Sequence, residues 1–409
     1  MPSSEPRPLA GIRVLDLTRV VSGPFATLQL GDLGADVVKI EEPGRGDESR
    51  SYGPPFTGGE SAYFLSINRN KRSCAVDLKA PAGRDLVLRL AAVADVVVEN
   101  FRPGTLERLG LGWDTLSTVN ERLILCSISG FGRTGPDAQR PGYDLVIQGE
   151  AGIMDITGLP DGPPTKVGAS IADLVTGLYA AQAVLAAVLR RQHDGKGCRV
   201  DVAMLDALAS LLTFNAGIYF ATGQSPGRRG NAHPTISPYE TFETADGWIT
   251  VAAANDRFWL ALCGVLGRDD LPEDPRFVSP RQRAAERSAL QAILAPIFRR
   301  QNRHHWIERL KAAGIPCGKI RSVAEVCEAR QLIERNVVQT VDHPAAGAVR
   351  HIASPLRFAD EPPPPASPPP CLDEHRQEVL RDWLGLDAAA TAAYAAHGAF
   401  GPAEQEERR

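Results

Sequence analysis

At 409 residues the chain exceeds one average core, so two domains, or one large domain with an insertion, are expected. Hydrophobic residues make up 43% and charged residues 23%, which is ordinary globular usage and gives little support to a disordered, collagen-like or membrane-embedded chain. The 45 basic and 49 acidic residues give a net charge of -4 with no basic stripe, and aromatics are only 6%, which argues against nucleic acid as a partner.

The opening "MPSSEPRPLAG" lacks a basic stretch followed by an apolar one, and no apolar run is expected to reach membrane-spanning length. A cytoplasmic location without membrane association is therefore expected. Seven cysteines (74, 126, 198, 263, 317, 327 and 371) lie far apart with no C-x-x-C pair or Cys/His cluster. That pattern suits a reducing compartment, and no metal site is expected.

From Gly11 to about Gly130, short β-branched runs alternate with helical stretches: "IRVLDL", "ADVVKIE", "CAVDL", "DVVVEN" and "LILCSISG". Apolar strands spaced by helix-length connections predict βαβ units, a parallel sheet and a doubly wound α/β domain. Next comes "VGASIADLVTGLYAAQAVLAAVLRR", small and apolar on every side, which predicts a helix buried in the core or at a subunit interface. "GCRVDVAMLDALASLL" adds a strand and a helix, and the loop "GQSPGRRGNAHPTISP" marks a domain boundary. Beyond it, "YETFETADGWITVAA" reads as two strands about a turn, with helices near 257–266 and 282–301. The expected layout is 1–210 as the N-terminal part of a large α/β domain, 225–325 as a small α+β domain, and 326–409 as a C-terminal part. The tract "EPPPPASPPP" predicts a stiff polyproline connector laid across the surface.

Ligands in open α/β sheets bind outside the C-terminal strand ends, so the loops there carry the candidate chemistry. The first, "RVVSGPFAT", enters a helix whose free N–H groups suit an anion, but it lacks the G-x-G-x-x-G of a dinucleotide fingerprint, which leaves an NAD-dependent enzyme a weak alternative. "NRNKRSCAVDLK" gathers Arg69, Lys71, Arg72 and Lys79, either a solvated face or a phosphate site. "ENFRPGTLERLG" adds Asn100, Phe101, Arg102 and Arg108, and "SISGFGRTGP" is flexible enough for close backbone approach. Asp173 is the single acidic residue of its apolar run. By residue type and position it is either the helix N-cap or a carboxylate nucleophile, roles that are compatible at a helix start.

Together, "GIRVLDLTRVVSGPFATLQLGDLGADVVKIEEPGRGD", "NRNKRSCAVDLK", "DVVVENFRPGTLERLG", "SISGFGRTGP", "GASIADLVTG", "RRGNAHPTISPYETFETADGW" and "GIPCGKIRSVAEV" resemble the family III CoA-transferases, also called CaiB/BaiF. The resemblance implies a large Rossmann-like domain built from both chain ends, a smaller inserted domain, and a homodimer of subunits threaded like linked rings. It implies a transferase moving CoA from an acyl-CoA to a small carboxylic acid through a mixed anhydride and an aspartyl-CoA thioester on Asp173, with the CoA thioester as substrate and no tightly bound cofactor. Carried over by position, the CoA site would hold Val21, Ser22, Val76, Lys79, Asn100, Phe101, Arg102 and Arg108, and the acyl pocket Tyr63, Tyr143 and Asp144. Glu42 stands where formyl-CoA:oxalate transferases carry a basic residue, Val21 stands for their glutamine, and their glycine-run lid is absent; these differences count against formyl-CoA and oxalate as the specific pair. The family also includes α-methylacyl-CoA racemases, the alternative reading. Their G-H-D is here "PGYD", and a phenol at Tyr143 is a poor α-proton base near neutral pH.

Overall fold

β-branched runs that must bury both faces assemble into a parallel sheet. In the computed structural model, which describes residues 7–358 and 366–401, six of them do so. The chain divides into two units, one made of Met1–Ala151, Val167–Leu212 and Gln331–Arg409, the other of Gly152–Lys166 and Thr213–Arg330.

In the first unit, strands β1 (Arg13–Asp16), β2 (Asp36–Glu41), β5 (Lys71–Ala75), β6 (Val96–Glu99), β7 (Ile124–Ser129) and β8 (Cys198–Ala203) pair in the order β5-β2-β1-β6-β7-β8. Every pairing is parallel. Counted along the chain among these six, the order is 3-2-1-4-5-6, the doubly wound arrangement, and its direction reverses between β1 and β6. Two minor strands, β3 (Phe56–Thr57) and β4 (Glu60–Ser61), form a separate hairpin. One face of the sheet packs Leu15, Val38, Val97 and Leu125 against Leu86, Leu90, Val379 and Trp383, so the C-terminal segment completes this core.

β5 begins three residues before the predicted "CAVDL" run and ends at Ala75. It tolerates charge because each cation finds an internal partner. Lys71 lies fully buried against Asp16 at 3.1 Å, and Arg69 pairs with Asp32 at 2.5 Å. Arg72 reaches Asp36 at 2.6 Å and both Glu378 and Asp382 at 3.1 Å. The phosphate reading of this cluster is therefore corrected for three of its four members.

The described part of the proline tract, residues 366–370, runs along this edge, and residues 361–365 lie outside the described residues. Ser367 exchanges hydrogen bonds with Asn70, and the Pro370 carbonyl accepts from Arg50 at 3.1 Å.

The helix Ile171–Asp194 buries Ala172, Thr176, Gly177, Ala180, Ala181, Val184 and Val188 and ends at Gly195, whose φ of 72° stops it in the left-handed region. Its opposite face, with Leu178 and Leu189, is exposed, so it is not buried all round. At 24 residues, with a mean hydropathy of 1.7 over its most apolar 18, it is long and apolar enough to cross a membrane, as is the stretch Met204–Thr222, contrary to expectation. Small-residue packing helices satisfy the same length and composition test. Gly177 is the contact with the helix Ser22–Asp32: a Cβ there would stand 2.7 Å from the Ser22 carbonyl oxygen.

The second unit holds an antiparallel sheet of β9 (Tyr239–Thr244), β10 (Gly247–Ala252) and β11 (Cys317–Lys319) in the order β11-β10-β9. Helices Asp256–Leu266, Arg287–Phe298 and Arg303–Ala312 enclose a core of Trp259, Phe277, Phe298 and Trp306. Back in the first unit, β12 (Val338–His343) and β13 (Gly347–Ile352) form a hairpin.

Candidate active site

A sheet that reverses direction leaves the loops after its two innermost strands pointing apart, and the crevice between them is where ligands enter. Here those are the loops after β1 and β6, and a cavity of about 400 Å³ opens at that place. Arg19 to Ser22 line it from the first loop, Asn100 to Pro103 and Thr105 from the second, Ile128 to Gly130 from the end of β7, and Met204 from just beyond β8. Glu48, Arg140 to Tyr143 and Asp173 complete the wall. Gly130 and Gly142 meet backbone to backbone, since a Cβ on Gly130 would lie 2.7 Å from the Gly142 Cα. Any side chain there would separate the two loops.

Asp173 is not the N-cap. Ser170 occupies that position without a side-chain bond, and Asp173 lies within the first turn. The cap comes from another helix, Asp144–Glu150: Asp144 Oδ1 accepts the Ala172 amide at 2.9 Å, and its Oδ2 accepts Gln148 Nε2 at 2.8 Å. The buried Gln148 in turn accepts the Val167 amide at 2.8 Å. Asp173 is half-buried, and among the described residues no hydrogen-bond donor or cation pairs with its carboxylate. Loss of water, and then the negative charge of Asp144, push its carboxyl up to about 7. A carboxylate so exposed to the cleft and so poorly stabilised is a reactive oxygen nucleophile whenever it is ionised.

Aromatic groups flank it. Tyr143 lines the cavity, while Tyr63 stands outside the lining but close enough that burial, then the Asp173 charge, raise its phenol. Tyr52 meets Tyr63 edge-on, with ring centroids 5.4 Å apart.

Val21, Ser22, Asn100, Phe101, Arg102, Tyr143 and Asp173 are thus brought to one cavity. Val76 and Lys79 are not. They line a separate recess of about 40 Å³ with Glu42, and Arg19 and Phe101 border both spaces. Val76 is 1% exposed, so it can offer a ligand only its backbone. The Lys79 side chain is 82% exposed and sits 3.4 Å from Glu42. Arg108 lines neither space; it donates to Thr105 Oγ1 at 2.8 Å. Asp144 acts through the helix cap, away from the cavity lining.

Sequence reasoning missed Arg19, whose guanidinium lies 5.2 Å above the Phe101 ring, and Val20, which holds a φ of 68°. It also missed Asp47 and Lys39, buried behind that loop and 2.9 Å apart. A lysine in the middle of "DVVKIE" was the available signal, because such a charge needs a buried partner.

A family model described as CoA-transferase family III matches residues 9–376. The chain is 39% identical over 384 residues to a succinyl-CoA:glutarate CoA-transferase of Mus musculus, covering 94% of this chain and 88% of that one. It is 39% identical over 389 residues to an acetyl-CoA:oxalate CoA-transferase of Acetobacter aceti, covering 95% and 98%. A crystal structure of a CaiB/BaiF family protein from Brucella suis superposes with a TM-score of 0.84 at 41% identity, over 93% of this chain and 100% of that one. A doubly wound sheet with an uncapped aspartate at its switch-point crevice, and likeness over nearly the whole length, agree that the chain belongs to the family III CoA-transferases.

Proposed function

We propose that the protein transfers CoA from an acyl-CoA to a small carboxylic acid, with Asp173 as the covalent nucleophile. The observation that carries this reading is the Asp173 carboxylate, relieved of capping by Asp144 and facing the cleft.

In the first step an Asp173 oxygen attacks the thioester carbonyl, the C–S bond breaks, and CoA thiolate leaves from a mixed anhydride. The thiolate then attacks the aspartyl carbonyl of the anhydride and expels the donor carboxylate, leaving an aspartyl-CoA thioester. The acceptor carboxylate attacks that thioester and releases the thiolate again, which attacks the acceptor's carbonyl and frees Asp173. No net proton or electron moves, so the site needs a nucleophile and oxyanion donors rather than an acid/base pair. Backbone amides of the loops lining the cleft serve as those donors. Arg19 and Arg102 supply positive charge at the cavity wall for the phosphates of CoA, and Phe101 an aromatic surface.

The relatives' names point to dicarboxylates as acids. Because one of them is an oxalate transferase, oxalate belongs among the candidates beside succinate and glutarate. The resemblance further supports an interlocked homodimer, and the exposed Leu178 and Leu189 on the Asp173 helix suit a partner surface.

The test is incubation with succinyl-CoA, trapping with hydroxylamine or borohydride, and mass spectrometry of the Asp173 peptide. An adduct that depends on acyl-CoA and is missing from Asp173→Ala is expected. No adduct, together with exchange of the substrate α-proton into solvent, would replace transfer by the racemase reading.

A further inference from the structure

Val20 is a β-branched residue in the left-handed region, a conformation that persists only when its surroundings impose it. The imposing groups are all side chains, and all are buried or half-buried. Asp47 Oδ1 accepts the Val20 amide at 3.1 Å. Lys39, fully buried, pairs with Asp47 Oδ2 at 2.9 Å and donates to the Thr18 carbonyl at 2.7 Å. Asn100 takes both backbone groups of Arg19, accepting its amide at 2.9 Å and donating to its carbonyl at 2.8 Å. Behind Asp47, Glu41 accepts the Asp47 amide at 2.9 Å and is itself held by Arg50 and by Ser73 Oγ.

A buried lysine-aspartate pair is a poor way to gain stability, since apolar residues of similar volume commonly do as well. Its geometry is more informative. Beside the local cap that Asp47 Oδ1 gives the Ser49 amide at 2.9 Å, the backbone groups the pair touches are the Thr18 carbonyl and the Val20 amide, and Arg19, Val20, Val21 and Ser22 all line the cleft. The same loop leads into the helix whose Ser22 carbonyl packs against Gly177, one turn beyond Asp173. Setting Val20 therefore fixes the wall of the cleft on one side and the seat of the nucleophile's helix on the other.

We propose that Asp47, anchored by Lys39, is a positioning residue that holds Val20 in its left-handed conformation and so sets the acyl-CoA cleft for reaction. This rests on the reading of the cleft as the acyl-CoA site. Asp47 touches no reacting atom in that reading and acts through the Val20 amide.

The test separates the hydrogen bond from the charge. The double variants Lys39→Met/Asp47→Asn and Lys39→Met/Asp47→Leu both remove the ion pair without leaving a lone buried charge, but only the first keeps an acceptor for the Val20 and Ser49 amides, and the Val20→Gly background tells the two bonds apart. Their kcat/KM for succinyl-CoA is expected to differ about tenfold, equivalent to about 1.4 kcal/mol, with the loss in the leucine variant. Adding Val20→Gly to both is expected to shrink that ratio to threefold or less, because glycine adopts a positive φ without being forced. Thermal melting of all four variants, and calorimetric binding of CoA, accompany the kinetics.

An equal ratio with and without Val20→Gly, or no difference between the two double variants, overturns the proposal. A parent protein that fails to bind CoA overturns the reading of the cleft as well. Binding without an Asp173 adduct removes only the covalent mechanism, and the ratio is then read from CoA affinity.

Discussion

Asp144 caps the helix that carries Asp173: its Oδ1 accepts the Ala172 amide, and the nearer carboxylate is left with nothing to do in the fold. The two aspartates divide what one residue at a helix start could have combined. Replacing Asp173 by Asn should lower kcat on the order of 10⁴-fold or more, the scale seen when a covalent catalytic constellation is broken, while leaving the cap intact. Replacing Asp144 by Ala removes a cap worth about 1 kcal/mol and leaves the buried Gln148 Nε2 only the long bond to the Ala169 carbonyl at 3.5 Å. It should lower Tm. Chemical-shift or circular-dichroism melts of the two variants beside their steady-state rates distinguish the roles.

The same pair sets a pH dependence. Because the Asp173 carboxyl is pushed up to about 7, its nucleophilic form is lost as pH falls through that value, and kcat/KM should show an acid limb near pH 7. The sign for stability is opposite to that of a salt-bridged aspartate. A folded-state pKa above the unfolded value means ionisation penalises the native state, so stability is lost as pH rises from about 4 to about 7. Asp173→Asn should therefore melt a few degrees higher than the parent at pH 8, on the order of 2–4 °C per kcal/mol, with the gap closing below pH 4. Paired melts across that range measure it.

What was legible beforehand follows the distance over which the physics acts. The runs around Leu15, Val38, Val97 and Leu125 announce strands because their side chains alone dictate burial, and the loops after "VLDLT" and "VVVEN" follow as the crevice once the sheet is doubly wound. The isolation of Asp173 is visible for the same reason. Its cap is not, because Asp144 lies 28 residues before Ala172 and reaches it from another helix. Nor could Lys71 be told from a phosphate ligand, since its partner Asp16 is 55 residues away. The left-handed Val20 had no local signal at all: its residue type argues against that conformation, and the side chains that hold the backbone there, Asp47, Lys39 and Asn100, come from 21 to 81 residues away.

Gly177 should tolerate nothing larger. A Cβ there would stand 2.7 Å from the Ser22 carbonyl oxygen and 3.2 Å from the Ala26 amide nitrogen, both backbone of the neighbouring helix that cannot rotate away, and 3.0 Å from the Phe25 ring. Gly177→Ala should cost about 1–3 kcal/mol as overpacking and reduce kcat, because the helix bearing Asp173 must shift. Gly264, also helical but with nothing within 4 Å of a built Cβ, is the matched control. Gly264→Ala should instead stabilise by about 0.5–1 kcal/mol. Denaturant melts of the two alanine variants test both signs.

The cations of "NRNKRSCAVDLK" should separate by assay. Lys71 Nζ is fully buried among Asp16 Oδ2 at 3.1 Å, the Pro24 carbonyl at 2.9 Å and Asn68 Oδ1 at 2.9 Å. Burial holds its ammonium down to about 8, against the pull of Asp16. Lys71→Ala takes from the buried Asp16 the partner of its ion pair and should cost about 3–5 kcal/mol, seen as a large fall in Tm or in soluble yield. Lys79 is largely exposed, with Glu42 as a loose partner at 3.4 Å, and an exposed pair of this kind contributes about 0–1 kcal/mol to stability. Lys79→Ala should leave Tm within a degree or two, and the KM for acyl-CoA then reports whether its charge meets a phosphate. A rise of about threefold or more, weakening as salt is raised from 0.05 to 0.5 M, is expected from the recess it shares with Phe101 and Arg19. A KM unchanged at low salt would leave Arg19 and Arg102 as the cations that hold CoA.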